Sequence, residues 1–99
     1  MGYRLTAEAQ RDLKEILEFT EQKWGRKKSQ EYFSRIREIL SRLAEMPEIG
    51  QPRYPELSAG TYSFPCVSHM IYYLIEDSEL VVLAVLHQRQ LPAHHLLTR

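Results

Sequence analysis

The chain has 99 residues, which is near the commonest size of a single domain and enough to bury one hydrophobic core. Its hydrophobic fraction of 43% and charged fraction of 26% are ordinary for a globular protein, and no apolar run approaches the ~20 residues that span a bilayer. The 13 basic and 13 acidic residues balance, which argues against direct DNA or RNA binding through a broad basic surface.

The first residues predict a short strand followed by a helix. Tyr-Arg-Leu at residues 3–5 is typical of a short strand, and Thr6 is a suitable N-cap for the helix that follows. Apolar residues then recur at helical spacing as far as Trp24. Gly25, directly after Trp24, is a natural place for the helix to end.

A second helix is predicted from about Arg26 to Glu45, where the apolar residues form one stripe. The dipeptide Met46-Pro47 ends it, because the residue before a proline is disfavoured in the helical conformation. Only a short glycine-centred break separates the two helices. We therefore expect an antiparallel helical hairpin over about residues 6–45.

The second half of the chain has the patterns of loop and strand. Residues 47–60 hold three prolines and two glycines, which indicates a loop. Residues 61–64, 67–76 and 79–86 have the composition of strands, and a tight turn at residues 77–78 joins the last two.

This order of elements predicts an α+β fold, in which the N-terminal strand and the helical hairpin accompany a small, mainly antiparallel sheet with the hairpin on one face. We expect one domain over residues 1–99, with the sheet at about residues 61–87. A short C-terminal helix is predicted to begin at Pro92, because proline suits the first helical turn. Cys66 has no partner for an internal disulfide and is expected to be an ordinary strand residue in a cytoplasmic protein.

The last two predicted strands are apolar on both faces, although an antiparallel sheet with one face in water should alternate apolar with polar residues. Two helices cover one face only. Either the C-terminal segment folds back over the second face, or a homodimer forms, or another chain docks there, and we favour a docking partner. The pattern does not distinguish the helix face from the partner face. The residues predicted to bind the partner are Met70, Tyr72, Leu74, Val81, Leu83 and Val85.

No motif for a metal or a cofactor is present. The chain lacks a Walker loop, a dinucleotide fingerprint, a CxxC pair and an HExxH helix. His94 and His95 are adjacent, so on a helix they would point about 100° apart and would not bind one metal together. We therefore expect no metal and no cofactor.

Three residues would have to supply any phosphate chemistry. His87 and Arg89 are two apart on the last strand and so share a face, and Arg53 lies in the preceding loop. Arginine neutralises phosphate, and histidine can transfer a proton near neutral pH. His69 is more consistent with a structural histidine than with a catalytic one.

Several segments, taken in series, resemble the ParE branch of the RelE/ParE toxin superfamily. They are YRLTAEAQRDLKEI, WG, LAEMPEIGQPR, ELSAG, SHMIYYLI and VLAVLHQR, and they cover the chain from Tyr3 to about Leu97. The resemblance implies the same helix-and-sheet fold. It also implies a bacterial type II toxin with a cognate antitoxin, whose C-terminal region would occupy the second sheet face.

The resemblance leaves the target open. ParE-type toxins inhibit DNA gyrase by protein contact, whereas RelE-type toxins cut mRNA on the ribosome with basic residues on the sheet. Residues 54–88 contain no Lys or Arg, so we favour gyrase; a ribonuclease would use Arg53, His87 and Arg89. A third alternative is a weakly toxic member that mainly binds its antitoxin. The residues expected to contact the target are His87, Gln88, Arg89, Gln90, His94 and His95.

Overall fold

The computed structural model describes residues 1–96 of the chain, so the last three residues of the predicted domain lie outside the described part. Its elements are β1 (Tyr3–Leu5), α1 (Ala7–Trp24), α2 (Arg26–Glu45), a single 3-10 turn (Pro47–Ile49), β2 (Gln51–Pro52), β3 (Tyr62–Cys66), β4 (His69–Glu76), β5 (Glu79–His87) and α3 (Pro92–Leu96). No helix within residues 1–96 is long and apolar enough to cross a membrane.

The predicted helical hairpin is confirmed. The Thr6 hydroxyl oxygen accepts a hydrogen bond from the backbone N–H of Ala9 at 3.1 Å and so caps the first turn of α1. Gly25 joins the two helices at a φ of 88°, a conformation that glycine adopts without the steric cost that other residues meet.

The sheet of the described chain has five strands in the order β1-β5-β4-β3-β2. β1 runs parallel to β5 and the other neighbours are antiparallel, which confirms a mainly antiparallel sheet. The prediction of an unbroken loop over residues 47–60 is wrong at Gln51–Pro52, which pair with β3 as β2. A two-residue strand that contains a proline has no alternating pattern, so periodicity does not reveal it.

The hydrophobic core lies between the helical hairpin and one face of the sheet. Ile36, Leu40 and Leu43 of α2 are 1%, 2% and 0% exposed, and they share a cluster with Tyr73 and Val82 of the sheet. Burying each of these aliphatic side chains contributes about 1.5–3 kcal/mol. This layer is therefore a major source of the stability of the fold.

The second face of the sheet is covered in part by the chain itself. Leu57, from the loop between β2 and β3, is 4% exposed and clusters with Tyr72, Ala84 and Leu86. Leu96 of α3 packs against the same cluster. The second face is thus less open than the strand pattern predicts, because a loop and the C-terminal segment fold over its centre.

A β-bulge in β5 changes which of its side chains face the helices. The register between β4 and β5 shifts between Tyr72 and Tyr73, so that β5 carries one extra residue, Leu83. Beyond the bulge the alternation is inverted, and Val85 lies in the helix-side core while Ala84 faces the other way. The assignment of Val85 to the partner face is therefore wrong, since strict alternation does not hold across a bulge.

Candidate functional site

The turn that follows β5 holds the main group of residues predicted to contact a target. The side-chain amide of Gln88 donates a hydrogen bond to the carbonyl of Val67 at 2.9 Å. The side-chain carbonyl of Gln90 accepts one from the backbone N–H of His87 at 2.7 Å. All of residues 87–90 are exposed, so this turn is both held in place and open to solvent.

The helix α3 continues the same surface. Nε2 of His95 lies 3.4 Å from Nε2 of Gln90, and His94 belongs to the same helix. The backbone N–H of Arg89 donates to Nδ1 of His87 at 3.2 Å. The structure thus brings His87, Gln90 and the partly exposed His95 into one cluster at the surface.

His69 connects this turn to the helical hairpin. Its ring centroid lies 5.4 Å from that of His87, with the two planes at 80°. Nδ1 of His69 is 2.6 Å from the Tyr32 hydroxyl, and that hydroxyl donates to the carbonyl of Cys66 at 3.0 Å. Both hydrogen bonds exist together when Nδ1 carries the proton, and we assign that tautomer, which leaves Nε2 as an acceptor.

The environment of His69 favours the neutral ring. Burial lowers the pKa of His69, because the charged form loses its hydration, and the neighbouring His87 lowers that pKa further. Tyr32 comes from a helix 37 residues earlier, so sequence analysis did not identify it as a partner of His69.

A groove of about 490 Å³ runs between α1 and the ends of β4 and β5. His69, His87 and Gln90 line it on the strand side. On the helix side it is lined by Phe19 and Trp24, which are 58% and 48% exposed. This surface could not be recognised from the sequence, because Trp24 has the same helical spacing as the residues of a buried stripe.

Arg53 lies on the other face of the sheet. Its Nε and Nη2 donate to the carboxylate of Glu56 at 2.8 and 3.2 Å, and its Nη1 donates to the hydroxyl of Ser63 at 3.0 Å. The guanidinium carbon is 5.5 Å from the ring centre of Tyr72, and the side chain is only 16% exposed. The hydrogen bonds to Glu56 raise the pKa of Arg53 and lower the pKa of Glu56.

The three residues considered for ribonuclease chemistry do not form one site. Arg53 lies over Tyr72 on the second face, whereas His87 contacts His69 on the helix side of the sheet. Arg89 belongs to the exposed turn after β5. Because the sheet separates Arg53 from His87, these side chains cannot hold the same phosphate.

The other residues predicted to bind a partner lie on the second face. Tyr72 and Val81 are only 4% and 3% exposed, and Met70 packs against the cluster that contains Tyr72. A groove of about 230 Å³ remains open on this face, and Thr61 borders it. The apolar residues that line this groove are Leu57, Leu74, Leu83 and Leu96.

Within residues 1–96, no three His, Cys, Asp or Glu side chains are grouped so as to hold a metal ion. Cys66 is buried, and burial raises the pKa of its thiol. A protonated, buried thiol is a poor nucleophile and a poor metal ligand.

Comparison of the sequence with known proteins relates it to one toxin family. The family model described as ParE toxin of type II toxin-antitoxin system, parDE, matches residues 3–92. Toxin ParE1 of Caulobacter vibrioides is 32% identical over 94 residues, which cover 95% of this chain and 96% of that protein. Toxin ParE of Escherichia coli is 31% identical over 95 residues, covering 89% of this chain and 85% of that protein.

Solved structures have the same fold. A chain of the chromosomal ParDE toxin-antitoxin system from P. aeruginosa superposes with a TM-score of 0.76 at 19% identity, covering 88% of this chain and 95% of that one. A chain of the toxin-antitoxin complex RelBE2 from Mycobacterium tuberculosis superposes with a TM-score of 0.61 at 27% identity, covering 88% and 96%.

Proposed function

Because the chain belongs to the ParE toxin family of type II toxin–antitoxin systems, we propose that it inhibits DNA gyrase by protein–protein contact and is neutralised by a cognate antitoxin. In this proposal the exposed turn at residues 87–90 contacts gyrase. A gyrase target also implies that the toxin acts in the cytoplasm.

The observation that carries the choice of gyrase over mRNA is the separation of the basic residues. A ribonuclease needs cationic groups and a proton-transfer group around one phosphate, so that charge is stabilised where it develops. Here Arg53 is bonded to Glu56 on one face of the sheet, and His87 lies beside His69 on the other. An inhibitor that acts by surface contact needs no such convergence.

The gyrase assignment is tested with the purified protein in two parallel assays. We expect the toxin to block supercoiling by gyrase, to leave mRNA intact in a translation extract, and to lose its effect when antitoxin is added. Intact supercoiling together with cut mRNA would contradict the proposal. Inactivity in both assays would instead indicate a member that mainly binds antitoxin.

The antitoxin contact is proposed at the groove on the second face. Leu74 and Leu83 are the partly exposed residues predicted to bind a partner there, and a disordered segment can fold into such a groove on binding. Two solved structures with the same fold come from toxin–antitoxin systems, which supports an antitoxin as the partner.

A further inference from the structure

Arg53 is unusual among the basic residues that form ion pairs in this chain. Its side chain is 16% exposed, whereas those of Arg4 and Arg26 in the other ion pairs are 49% and 81% exposed. Arg53 lies against the Tyr72 ring at the margin of the apolar cluster on the second face. Because only 16% of the Arg53 side chain is exposed, its guanidinium has lost part of its hydration, and a nearby counter-charge compensates for that loss.

Among residues 1–96, the only counter-charge bonded to Arg53 is a carboxylate that remains in water. Glu56 takes two of the five N–H donors of the guanidinium, and its side chain is 57% exposed. Ser63 takes a third donor from the sheet side. The buried residues Tyr72 and Ser63 thus form one side of the site. Glu56, an exposed residue of the same loop as Arg53, closes the other side.

The site adjoins the groove where the antitoxin is proposed to bind. The backbone N–H of Arg53 donates to the carbonyl of Thr61 at 2.9 Å, and Thr61 borders that groove. Leu57, the next residue after Glu56, lines the groove as well. Tyr72, against which the Arg53 guanidinium lies, is two residues from Leu74 on the same face of β4, and Leu74 lines the groove. A segment in the groove is therefore within reach of the Arg53 guanidinium.

Such a segment would remove water from the ion pair. If Glu56 stayed on Arg53, its carboxylate would be buried together with the guanidinium and would lose its hydration. If a carboxylate of the segment replaced Glu56, the guanidinium would keep a bidentate partner while Glu56 returned to water. The chemistry of the site favours an acidic side chain flanked by apolar ones.

We propose that Arg53, supported by Ser63 and Tyr72, is a carboxylate-binding site for an acidic side chain of the antitoxin, and that Glu56 occupies it until the antitoxin binds. This proposal rests on the proposed antitoxin partner. It specifies that the antitoxin residue that binds Arg53 is acidic. It gives Arg53 a recognition role rather than a catalytic one.

The test measures the affinity of the purified toxin for its full-length cognate antitoxin. Arg53→Gln should weaken binding by about tenfold or more, because the entering carboxylate would be left without a cation. Glu56→Gln should tighten binding severalfold, because the competing carboxylate is removed. In the Arg53→Gln background, Glu56→Gln should have no effect. Unchanged or weaker binding by Glu56→Gln would overturn the exchange.

Matched controls separate recognition from folding and from general charge effects. Glu21→Gln removes the carboxylate of the ion pair with Arg26, and Arg37→Gln removes an exposed arginine of α2. Both should leave the affinity unchanged, and the melting temperature of each variant alone shows that it is folded. Equal weakening by Arg37→Gln and Arg53→Gln would overturn the specific site.

The acidic residue of the antitoxin is identified by replacing its Asp and Glu residues one at a time with Asn and Gln. One replacement should weaken binding to the wild-type toxin but not to Arg53→Gln, which is the sign of a direct pair. If every replacement acts additively with Arg53→Gln, the carboxylate site is overturned while the antitoxin partnership stands. No binding by the wild-type toxin would overturn both.

Discussion

At residue 50 the backbone passes so close to the buried Tyr73 that a side chain does not fit. A Cβ atom added to Gly50 would meet the Tyr73 hydroxyl, which donates a hydrogen bond to the carbonyl of Pro47 at 2.6 Å. Tyr73 itself is 0% exposed, so it cannot swing into solvent to make room. The sequence marks this position only as a glycine in a proline-containing segment, because the contact joins residues far apart in the chain.

We expect Gly50→Ala to lower the free energy of unfolding by about 1–3 kcal/mol, the usual cost of overpacking a well-filled site. Denaturant unfolding measures the change. Gly2→Ala is the matched control, since nothing lies within 4 Å of the added Cβ there. In a Tyr73→Phe background, which lacks the hydroxyl, Gly50→Ala should cost less. An equal cost in both backgrounds would contradict the proposed clash.

The buried His69 predicts a dependence of stability on pH. Its pKa is lowered in the folded chain, so below the ordinary histidine value of about 6.5 the unfolded chain binds a proton more readily. The stability is therefore fully present above about pH 6.5 and falls as the pH decreases towards the folded-state pKa. Melting temperatures measured from pH 7.5 down to pH 5 follow this loss.

His69→Gln, which cannot titrate, should flatten the decline in melting temperature over that range. His87→Gln is the informative comparison, because the ring of His87 contributes to lowering the pKa of His69 and its removal should make the decline shallower. A decline of the same steepness in His69→Gln as in the unsubstituted chain would show that another group controls it.

At the scale of the elements, α1 supports β5 where the strand β1 ends. β1 pairs with β5 only as far as Val82. Beyond that point the Thr6 hydroxyl donates to the carbonyl of Leu83 at 3.2 Å, and the Asp12 carboxylate accepts from the N–H of Val85 at 3.0 Å. Side chains of the N-cap and of the first helix thus complete the hydrogen bonding of the bulged strand.

Elements whose pattern repeats could be predicted from the sequence, and irregular ones could not. The two long helices repeat an apolar stripe over several turns, and Thr6 and Gly25 mark their ends with residue types that suit those positions. The bulge at Leu83 depends on the shift in pairing between β4 and β5, which leaves no local signal in two apolar strands. The prediction for Val85 is therefore wrong because of this one bulge.

Thr6→Val should lower the free energy of unfolding by about 1–2 kcal/mol, because it removes both the cap of α1 and the bond to Leu83 at nearly constant volume. Thr6→Ser keeps the hydroxyl and should cost less than half as much. Thermal or denaturant unfolding of both variants provides the comparison. Equal losses in Thr6→Val and Thr6→Ser would indicate that the methyl group contributes as much as the hydroxyl, which would contradict a dominant role for the two hydrogen bonds.

At the scale of the whole molecule, the chain covers the centre of its second face with Leu57 and Leu96 and leaves a groove beside them. Sequence alternation could show that this face is apolar. It could not show that one loop and α3 would cover much of it, since that depends on where distant segments pack. For the same reason, the sequence identifies Arg53 and His87 as candidates for phosphate chemistry but does not show that they lie on opposite faces of the sheet.

The groove predicts different effects for two substitutions on this face. Leu83 is partly exposed, so Leu83→Asp should weaken antitoxin binding while the isolated toxin remains folded. Tyr72 is 4% exposed inside the cluster, so Tyr72→Asp should bury a charge and unfold the domain. Circular dichroism separates the two cases before affinity is measured. Wild-type affinity in a folded Leu83→Asp variant would exclude this groove from the antitoxin contact.

Binding of the antitoxin should also stabilise the toxin as a whole, because a partner that binds only the folded chain shifts the unfolding equilibrium. Antitoxin at a free concentration of 100 times its dissociation constant adds about 2.7 kcal/mol. For a domain of this size, each kcal/mol raises the melting temperature by about 4–8 °C, so we expect a rise of about 10–20 °C. The rise should grow with antitoxin concentration and shrink for Leu83→Asp. A toxin whose melting temperature does not respond to its cognate antitoxin would contradict neutralisation by direct binding.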